Sequence, residues 1–513
     1  MYKHRIDSEK LPLSSPHSKQ FHDSKMRRIA LSFLIFSLLF LLAFPQRISF
    51  ARFHPDALQP RDKVTGLPMA NGEAEPESYA GYIKVREWKA ENTTNFASLF
   101  YWFFPAEEPK KQDSPLIIWL QGGPGSSSMT GLFLENGPLW VDHNVLLHRR
   151  NSTWSRHYSM LFIDQPVGTG YSYLNKSLGS LNENFTTDYK HALTDDEFGQ
   201  PEYSKEGYVM NQEAVANDLL VFMDKFYELH PEQRSRPLYI TGESYGGKYV
   251  PSFSYAIHRR NEQIKSSNGP QEHLIPLAGL AVGNGLTDPL TQVPTHGPHA
   301  YYLGLVSPEQ RDLIQSLTDQ VVSHIQAQDF LAARNARNKM FGVFANATGN
   351  VNWYDVRRVD QINKRPMLAF LKKPETLQLL HLEGGKKSFG SDNAVKEEMR
   401  FDICKSAARY VELLLQSNHY KVLLYQGAFD YRDGVASNTD WIRALKHDGA
   451  EEYKRTDAAR KLWIGPNGNL AGYAAKGGKL ERVIILCAGH YAPLDQPENA
   501  LDMITRFIEG YEY

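Results

Sequence analysis

The chain has 513 residues, of which 42% are hydrophobic and 22% are charged. This is an ordinary globular mixture, and the length suits one large domain with insertions or two to three smaller domains. The formal net charge of −1 argues against a polyanionic partner such as nucleic acid. The two cysteines, Cys404 and Cys487, exclude a zinc framework and leave either one disulfide or two free thiols.

Residues 1–51 are predicted to be an N-terminal extension with a targeting segment. Basic residues at Met26-Arg27-Arg28 precede the uncharged run 29–44, and Ser49-Phe50-Ala51 offers a cleavage site between small residues. The run is too short for a comfortable membrane span. A signal peptide is therefore favoured, and no stable span is expected in the mature protein. Because residues 1–25 are polar and long for such a signal, translation from Met26 or a signal anchor is an alternative.

Five acceptor sequences for N-glycosylation follow, each of the form Asn-x-Ser/Thr. They begin at Asn92, Asn151, Asn175, Asn184 and Asn346. Together with the signal peptide, they predict passage through the secretory pathway, where a disulfide is also permitted.

Short apolar runs of strand length alternate along the chain with helix-like segments. The predicted strands are 116–120, 160–163, 238–241, 277–282, 422–425 and 483–486. Periodic apolar residues predict helices over 211–229 and 403–415. This alternation is typical of an α/β protein with a mostly parallel sheet covered by helices on both faces. Ligands bind such sheets at the carboxyl ends of the strands.

The stretch 290–400 differs from the rest because it has no strong strand signal. Its helical patterns are 308–322, 326–339 and 366–382, the last interrupted by Pro374. We predict a helical cap here, inserted between a first core part, 52–289, and a second core part, 401–513. Residues 53–78 are expected to form an irregular arm.

The pentapeptide Gly242-Glu243-Ser244-Tyr245-Gly246 stands between a predicted strand and a helix-like segment, which is the setting of a nucleophile elbow. Glycines two residues either side of the serine are needed where backbone and helix pass too close for a Cβ. Such a turn lifts the Ser244 hydroxyl above the sheet edge, where a base and a substrate carbonyl can both reach it. The motif therefore predicts a serine nucleophile.

A serine nucleophile needs a base and an acid that orients the base. In α/β-hydrolases the acid precedes the histidine in the chain. Asp430 and His490 each follow a predicted strand, in the required order. The alternatives are Asp433 and Asp440 for the acid and His447 for the base.

A second cluster, Gln121-Gly122-Gly123-Pro124-Gly125, follows the predicted strand 116–120. Its glycines leave backbone N–H groups free to point at an anion. A phosphate loop is the alternative, but there is no Gly-Lys-Ser/Thr and no helix directly after the turn. In a serine hydrolase the same geometry supplies half of the oxyanion hole.

These segments closely resemble the serine carboxypeptidase family, and the resemblance covers nearly the whole mature length. The motifs that carry it are Trp119-Leu-Gln-Gly-Gly-Pro-Gly, Phe133-Leu-Glu-Asn-Gly-Pro, Asp164-Gln-Pro-Val-Gly-Thr-Gly-Tyr-Ser, Gly242-Glu-Ser-Tyr-Gly-Gly-Lys-Tyr-Val-Pro, Gly283-Asn-Gly-Leu-Thr-Asp-Pro and Ala488-Gly-His-Tyr-Ala-Pro-Leu-Asp-Gln-Pro. Gln121 and Tyr425-Gln-Gly-Ala-Phe-Asp430 are most similar to the vitellogenic-like and plant serine carboxypeptidase-like branches.

The resemblance implies an α/β-hydrolase fold with a catalytic triad of Ser244, Asp430 and His490. The spacing from Gly427 to Asp430 matches the family and favours Asp430 over Asp433. The implied oxyanion hole consists of the backbone N–H groups of Gly123 and Tyr245. The residues implied to bind the substrate's terminal carboxylate are Gln121, Gly122, Glu135 and Glu243, and Trp119 would line the pocket for the departing residue. No metal or cofactor is expected.

The implied pairing of Glu135 with Glu243 has a physical consequence. Two close carboxyl groups cannot both ionise cheaply, so one pKa rises and a proton is held between them. Protonated Glu243 can donate a hydrogen bond to a carboxylate, whereas ionised Glu243 would repel it. The expectation is an acid pH optimum for peptide binding.

The sequence also departs from the family pattern. Gln121 stands where many relatives have Asn, and its extra methylene is expected to displace the bound carboxylate slightly. Ser126 replaces the usual cysteine after Gly-Gly-Pro-Gly, and the cysteines of the family's other bridges are missing. These changes bear on the position of the cap and the shape of the pockets, but not on the chemistry. Cys487, three residues before His490, is expected to be a buried thiol.

We therefore predict a serine carboxypeptidase that releases residues from the C-termini of peptides or proteins, as a monomer or homodimer. Its expected location is extracellular or vacuolar/lysosomal. An acyltransferase that uses glucose-ester donors is the alternative, because it would use the same triad; Gln121, Glu135 and Glu243 favour the peptidase. A non-enzymatic binding protein on this scaffold is disfavoured by the intact triad and oxyanion elements.

Overall fold

The computed structural model describes residues 62–90, 93–109, 113–175, 198–386 and 388–513, which belong to one unit, Pro60–Tyr513. The predicted targeting segment and the acceptor sites Asn92 and Asn184 lie outside the described residues. The strands are β1 (Tyr79–Ala90), β2 (Thr93–Phe104), β3 (Leu116–Leu120), β4 (Leu139–Val141), β5 (Leu147–Arg149), β6 (Ser159–Asp164), β7 (Tyr173–Asn175), β8 (Leu238–Glu243), β9 (Leu277–Gly283), β10 (Lys421–Gly427), β11 (Lys461–Ile464), β12 (Leu470–Gly477) and β13 (Leu480–Ile485).

The main sheet has the strand order β1-β2-β6-β3-β8-β9-β10-β13-β12-β11, with β7 also paired to β2. The central strands from β6 to β13 are parallel neighbours. Antiparallel hairpins close both edges, β1–β2 at one end and β11–β12 beside β13 at the other. Strands β4 and β5 form a separate two-stranded sheet. All six predicted strands are present, within a few residues of their predicted bounds, and all belong to the parallel centre.

The helices are α1 (Gln212–Leu229), α2 (Gly246–Ser266), α3 (Pro289–Gln292), α4 (His296–Tyr302), α5 (Pro308–Gln326), α6 (Phe330–Thr348), α7 (Arg365–Leu371), α8 (Pro374–Leu379), α9 (Asn393–Glu398), α10 (Ala408–Gln416), α11 (Val435–Ala444), α12 (Ala450–Ala459), α13 (Ala492–Asp495) and α14 (Pro497–Glu509). Helix α1 begins where predicted, because the Asn211 side chain accepts a hydrogen bond from Ala214 N at 3.0 Å. Helix α10 begins later than predicted, at Ala408, where the Ser406 hydroxyl accepts the Ala408 N–H at 3.2 Å.

Two hydrophobic cores lie on opposite faces of the sheet, because successive side chains of a strand alternate between faces. Ile118 and Leu120 pack with the apolar sides of α1 and α2. Ile117 and Trp119 pack on the other face, together with residues of α14. Every residue of β3 is buried, which is typical of a parallel strand covered on both sides.

Between β9 and β10, the described residues form helices and loops without a strand. Helices α4, α5 and α6 enclose a small apolar core of their own, and Tyr431 inserts into it. The Tyr431 ring stacks on Phe344 of α6, with centroids 4.0 Å apart. This contact ties the helical segment to the loop that follows β10. The bounds 290–400 for a cap stay a prediction.

Three of the predicted glycosylation acceptors can be placed on the surface. Asn151, Asn175 and Asn346 are all exposed. In the described ranges, no helix combines the length and apolar character that crossing a membrane requires.

The two cysteines are separate free thiols, Cys404 buried and Cys487 exposed. The expectation of a buried Cys487 is wrong. The reason is local: Cys487 follows the last residues of β13 in a left-handed turn, with φ +55°, at the surface.

Gly427 at the end of β10 lies against the loop that follows β13 and has no room for a side chain. A Cβ there would overlap the carbonyl oxygen of Gly489 and lie 2.8 Å from that of Ala488. We predict that Gly427→Ala lowers the free energy of unfolding by about 2–4 kcal/mol, measured by chemical denaturation.

Gly342→Ala is the matched control. This glycine lies inside α6, and a Cβ added there would meet no atom of another segment within 4 Å. Alanine favours a helix interior over glycine, so this variant should gain about 0.5–1 kcal/mol. Equal stability of the two variants would show that Gly427 has room for a Cβ beside the carbonyl oxygens of Ala488 and Gly489.

Candidate active site

Ser244 occupies a sharp turn between β8, which ends at Glu243, and α2, which begins at Gly246. Its φ of +63° lies in the left-handed region, which a serine adopts only under constraint. Two backbone hydrogen bonds hold it: Ser244 N–H donates to Gly283 O at 3.0 Å, and Leu286 N–H donates to Ser244 O at 2.9 Å. The predicted elbow is thus formed, with Ser244 partly exposed.

The glycines of the elbow are required by close backbone contacts. A Cβ on Gly242 would overlap the Leu120 carbonyl oxygen, and one on Gly246 would lie 3.0 Å from the same atom. Both residues flank the end of β3, so the elbow and the Gly-rich turn after β3 are pressed together.

The Gly-rich turn lies directly against the elbow. A Cβ on Gly122 would overlap Tyr245 N and lie 2.6 Å from Glu243 O. Gly123, with φ +118°, lines one cleft together with Ser244 and Tyr245. The two residues implied for the oxyanion hole therefore border Ser244.

His490 and Asp430 form a buried pair at the same edge of the sheet. His490 Nδ1 lies 2.7 Å from Asp430 Oδ2, and both side chains are almost fully excluded from solvent. The backbone N–H of His490 donates a hydrogen bond to the backbone carbonyl oxygen of Tyr354 at 2.7 Å. The Tyr354 ring packs on the imidazole, with ring centroids 4.7 Å apart. The imidazole is thereby held in one orientation.

Three donors surround the Asp430 carboxylate besides His490. Asn284 Nδ2 donates to Oδ2 at 2.8 Å, the Arg432 N–H to Oδ1 at 2.8 Å, and the Asp433 N–H to Oδ2 at 3.3 Å. Hydrogen bonds to an ionised carboxylate compensate for its loss of water. The geometry suits an ionised acid that orients a histidine.

The alternative acids and base lie elsewhere. The Asp433 carboxylate lies 3.7 Å from Arg337 and 3.5 Å from Arg432. Asp440 is exposed on α11. The Nδ1 of His447 accepts a hydrogen bond from Gly449 N–H at 3.2 Å. The structure brings only Asp430, among these three acids, within hydrogen-bond distance of His490.

Gln121, Glu243 and Trp119 form a buried chain of hydrogen bonds behind the elbow. Gln121 Nε2 donates to Glu243 Oε1 at 3.0 Å, and Trp119 Nε1 donates to Gln121 Oε1 at 2.8 Å. The amide orientation of Gln121 is therefore defined at both ends.

Glu135 lies next to Glu243, at the end of the helical turn Gly131–Glu135. Burial raises the pKa of Glu135. Burial, and then repulsion from Glu135, raise the pKa of Glu243 well above its usual range. Both carboxyl groups are fully buried, so loss of water is the leading cause of both shifts, and repulsion between the two carboxylates adds to the shift of Glu243.

Lys364, just before α7, is the nearby cation that the sequence did not reveal. Its attraction opposes the rise in pKa of both Glu135 and Glu243. Burial in turn lowers the pKa of Lys364. Its Nζ lies 3.4 Å from the hydroxyl of Tyr491 and 5.1 Å from the centre of that ring. Since Tyr491 follows His490 in the chain, Lys364 connects the carboxyl pair with the histidine loop.

Other contacts were also beyond sequence reasoning. Asn284 lies in the motif Gly283-Asn-Gly, which signalled the family but not a partner for Asp430. Tyr354 and Lys364 come from the helical segment, where no pattern pointed to the site. Among the described residues, no group of three or more His, Cys, Asp or Glu is placed to hold a metal ion.

The fold, with an elbow serine and a buried Asp–His pair at the carboxyl edge of its parallel strands, is that of an α/β-hydrolase. Comparison of this sequence with known protein families identifies the family within the α/β-hydrolases. The profile of the serine carboxypeptidase family matches residues 68–510, and the chain belongs to that family. It is thus a hydrolase of the exopeptidase type.

Relatives come from both branches named above. The chain is 34% identical to human "Probable serine carboxypeptidase CPVL", over 85% of this chain and 83% of that protein. It is 35% identical to "Vitellogenic carboxypeptidase" of Aedes aegypti, over 84% and 83% of the two chains. It is 34% identical to "Serine carboxypeptidase-like 50" of Arabidopsis thaliana, over 86% and 90%.

A solved structure confirms the predicted fold. Kex1(delta)p, a prohormone-processing carboxypeptidase from Saccharomyces cerevisiae, matches with a TM-score of 0.70 at 22% identity, over 88% of this chain and 96% of that chain. At this identity, the likeness concerns the fold alone.

Asn284 allows a test of how the acid is held. Asn284→Ala removes the bond to Asp430 Oδ2 and a second bond, in which Gly427 N–H donates to Asn284 Oδ1 at 3.1 Å. A misplaced Asp430–His490 pair should lower kcat for an N-blocked dipeptide by up to about 100-fold, with little change in KM. Steady-state kinetics measure both.

The matched control is Asn261→Ala. Asn261 is also buried and makes two comparable hydrogen bonds, both with the backbone of Ile275. Its loss should reduce stability by about 1–3 kcal/mol while kcat stays near that of the parent. If both variants lost the same share of kcat, general loosening of the fold, and not the hold on Asp430, would be the cause.

Proposed function

We propose that this enzyme removes the C-terminal amino acid of peptides through an acyl-enzyme formed on Ser244. The observation that carries the proposal is the direct succession of Glu243 and Ser244. The buried cluster of Gln121, Glu135 and Glu243 lies directly beside Ser244, which supports a role in holding a substrate by its terminal carboxylate. An endopeptidase or esterase would not need this cluster.

In the first half of the reaction, Ser244 Oγ attacks the last peptide carbonyl carbon. His490 takes the hydroxyl proton as general base, and the Gly123 and Tyr245 N–H groups stabilise the oxyanion. The tetrahedral intermediate then collapses: the C–N bond breaks, and His490 gives the proton to the departing amine. The acyl group remains on Ser244 as an ester.

In the second half, water replaces the amino acid that has left. His490 takes a proton from the water, whose oxygen attacks the ester carbonyl carbon, and the Ser244 oxygen then leaves with the proton from His490. Asp430 fixes the imidazole so that Nδ1 keeps its hydrogen and Nε2 is the base. The hydrogen bonds from Asn284 and the backbone N–H of Arg432 hold the Asp430 carboxyl group in place, with Oδ2 directed at Nδ1 of His490.

The terminal carboxylate is recognised by groups that donate without adding negative charge. The amide of Gln121 and the backbone N–H of Gly122 are two such groups, and protonated Glu243 is the third. Trp119 borders the pocket of the departing side chain. The hydrogen bond from Trp119 orients the Gln121 amide, which supports its role as a positioned donor.

Passage through the secretory pathway to an extracellular, vacuolar or lysosomal location is part of the proposal. The exposure of Asn151, Asn175 and Asn346 supports it, because glycosyl transfer needs acceptors at the surface. An acid compartment would also suit the raised pKa of the carboxyl pair.

The central test is release of free amino acid from N-blocked dipeptides, with Ser244→Ala as the comparison. The parent enzyme should release the C-terminal residue, and Ser244→Ala should lose about 10⁴-fold or more in kcat with an unchanged unfolding midpoint. Transfer of an acyl group from a glucose ester, with no release from any dipeptide, would replace this proposal by the acyltransferase alternative.

The pH dependence of KM tests the carboxyl pair. The raised pKa of Glu243 means that its donating, neutral form is present below that pKa and is lost as pH rises through it. We predict that KM for a dipeptide rises on the alkaline side, whereas in Glu243→Gln, which donates at every pH, KM no longer follows pH.

Two further measurements complete this experiment. Gln121→Ala should raise KM by about 10-fold or more, the cost of one hydrogen bond to a charged group. A dipeptide amide, which lacks the carboxylate, serves as the control substrate and should not respond to Glu243→Gln in this way. Unchanged KM in both variants would exclude this cluster as the carboxylate site.

A further inference from the structure

The cleft in front of Ser244 has a volume of about 680 Å³. One wall is formed by Gly123, Ser244 and Tyr245, and the opposite wall by α6 and the loop after β10. The side chains of Gln121, Glu135 and Glu243 are not among the residues that line this cleft. A peptide whose terminus is held by Gln121 and Glu243 and whose carbonyl lies at Ser244 must therefore place its preceding residue in this cleft. This assignment rests on the proposed function.

Arg337 of α6 is the unusual side chain of this cleft. Only 3% of its surface is exposed, yet Nε and Nη2 have no hydrogen-bond partner among the described residues. The nearest carboxylate oxygen, on Asp433, is 3.7 Å from Nη2, which is beyond hydrogen-bond range. Buried donors without acceptors are costly, so an acceptor supplied by a ligand would be favourable here.

The other charged groups of the cleft leave an excess of positive charge. The cations that line it are Arg334, Arg337, Lys396 and Arg432, and the acids are Asp392 and Asp433. Asp392 already pairs with Lys386 at 3.0 Å, and Arg334 is 3.8 Å from Glu397. Asp433 lies between Arg337 and Arg432 and can match only one of them. Burial also raises the pKa of Asp433, which favours its neutral form.

Aromatic rings hold these guanidinium groups in place. Arg337 lies over the Phe341 ring at 4.9 Å, and Arg432 lies over the same ring at 4.7 Å and over Tyr354 at 5.5 Å. Such stacking fixes the planar fork while leaving its edge free for two parallel hydrogen bonds. A carboxylate matches that edge.

We propose that Arg337 and the flanking cations of this cleft bind an acidic side chain at the residue preceding the scissile bond, so that the enzyme prefers peptides with Glu or Asp in the penultimate position. The Ser244 acyl-enzyme then carries this acidic residue as its acyl group. Two sites then determine substrate specificity. The cluster of Gln121, Glu135 and Glu243 binds the terminal carboxylate, and Arg337 binds the side chain of the residue before it.

The test compares two N-blocked dipeptides that share a C-terminal Phe and differ only in Glu or Gln before it. At about pH 6 the Glu side chain is ionised, and it is nearly isosteric with Gln. In the parent enzyme, kcat/KM should be about 10- to 100-fold higher for Glu, the usual effect of a charge-assisted hydrogen bond. Equal use of the two substrates, or preference for Gln, overturns the proposal without needing any variant.

The variants assign the preference to Arg337. In Arg337→Met, the ratio of kcat/KM for the Glu substrate to kcat/KM for the Gln substrate should fall to about one. Arg337→Lys keeps the positive charge but loses the planar guanidinium, so it should retain part of the preference for Glu. Arg311→Met is the matched control, because Arg311 pairs with Asp312 on α5, away from the cleft lining; it should keep the full ratio.

The remaining outcomes are also decisive. If Arg337→Met loses both substrates equally and keeps the Glu/Gln ratio, Arg337 is a structural residue and the proposal is wrong. Should the variant not fold, Arg334→Gln on the cleft rim must reduce the ratio, and an unchanged ratio counts against the site. A third substrate, with Ala before the Phe, separates the two proposals. If the enzyme cleaves this substrate but shows no preference for Glu over Gln, only the present inference is rejected. If the enzyme cleaves none of the dipeptides, the proposed function is rejected as well.

Discussion

The site depends on one constraint, the close approach of two backbone segments at the carboxyl end of the sheet. The Leu120 carbonyl oxygen contacts the elbow so tightly that neither Gly242 nor Gly246 has normal room for a Cβ. Gly122 touches Tyr245 and Glu243 in the same way. Because β3 and β8 are parallel neighbours, their ends arrive side by side. Ser244, the backbone of Gly122 and Gly123, and the side chains of Gln121 and Glu243 are therefore brought together by the pairing of these two strands.

Burial determines the electrostatics of the site. Glu135 and Glu243 lie side by side away from water, and their raised pKa values follow from that placement. Asp430 is equally buried but has Asn284, two backbone N–H groups and His490 as donors. The two environments therefore differ in hydrogen-bond partners: Glu243 accepts a hydrogen bond from Gln121, whereas Asp430 is surrounded by four donors or ring nitrogens. The site therefore contains carboxyl groups in two different environments, the Glu135–Glu243 pair and Asp430.

The helical segment between β9 and β10 contributes more than cover. Tyr431, next to Asp430, is stacked in the small core of α4, α5 and α6, so the acid's loop and this segment are packed as one body. Tyr354 supports the imidazole, Lys364 balances the carboxyl pair, and Arg337 supplies charge to the acyl side of the cleft. Ser244, Gln121 and Glu243 stand at the ends of sheet strands, whereas Tyr354, Lys364 and Arg337 come from the helical segment.

The sequence by itself determined the parallel centre, the elbow, the order of Ser244, Asp430 and His490, and the family. These features are local: a buried strand is a run of apolar residues, and a tight turn demands glycine at defined positions. The edge hairpins escaped prediction because β1 is interrupted by charged residues and gains its stability from pairing with β2.

Only the tertiary structure decided which groups hold the acid and the histidine in place, what surrounds the carboxyl pair, and whether each cysteine is exposed. Residue type alone does not separate Asp430 from Asp433, and the spacing from Gly427 favours Asp430 only through the family resemblance. The three-dimensional path of the loop directs Asp430 to His490 and Asp433 to Arg337 and Arg432. Arg337 lies in the helical pattern 326–339 and Lys364 just before the pattern 366–382, and neither charged residue is marked as buried by the sequence around it. Their burial arises from contacts between segments far apart in the chain, and no local pattern encodes such contacts.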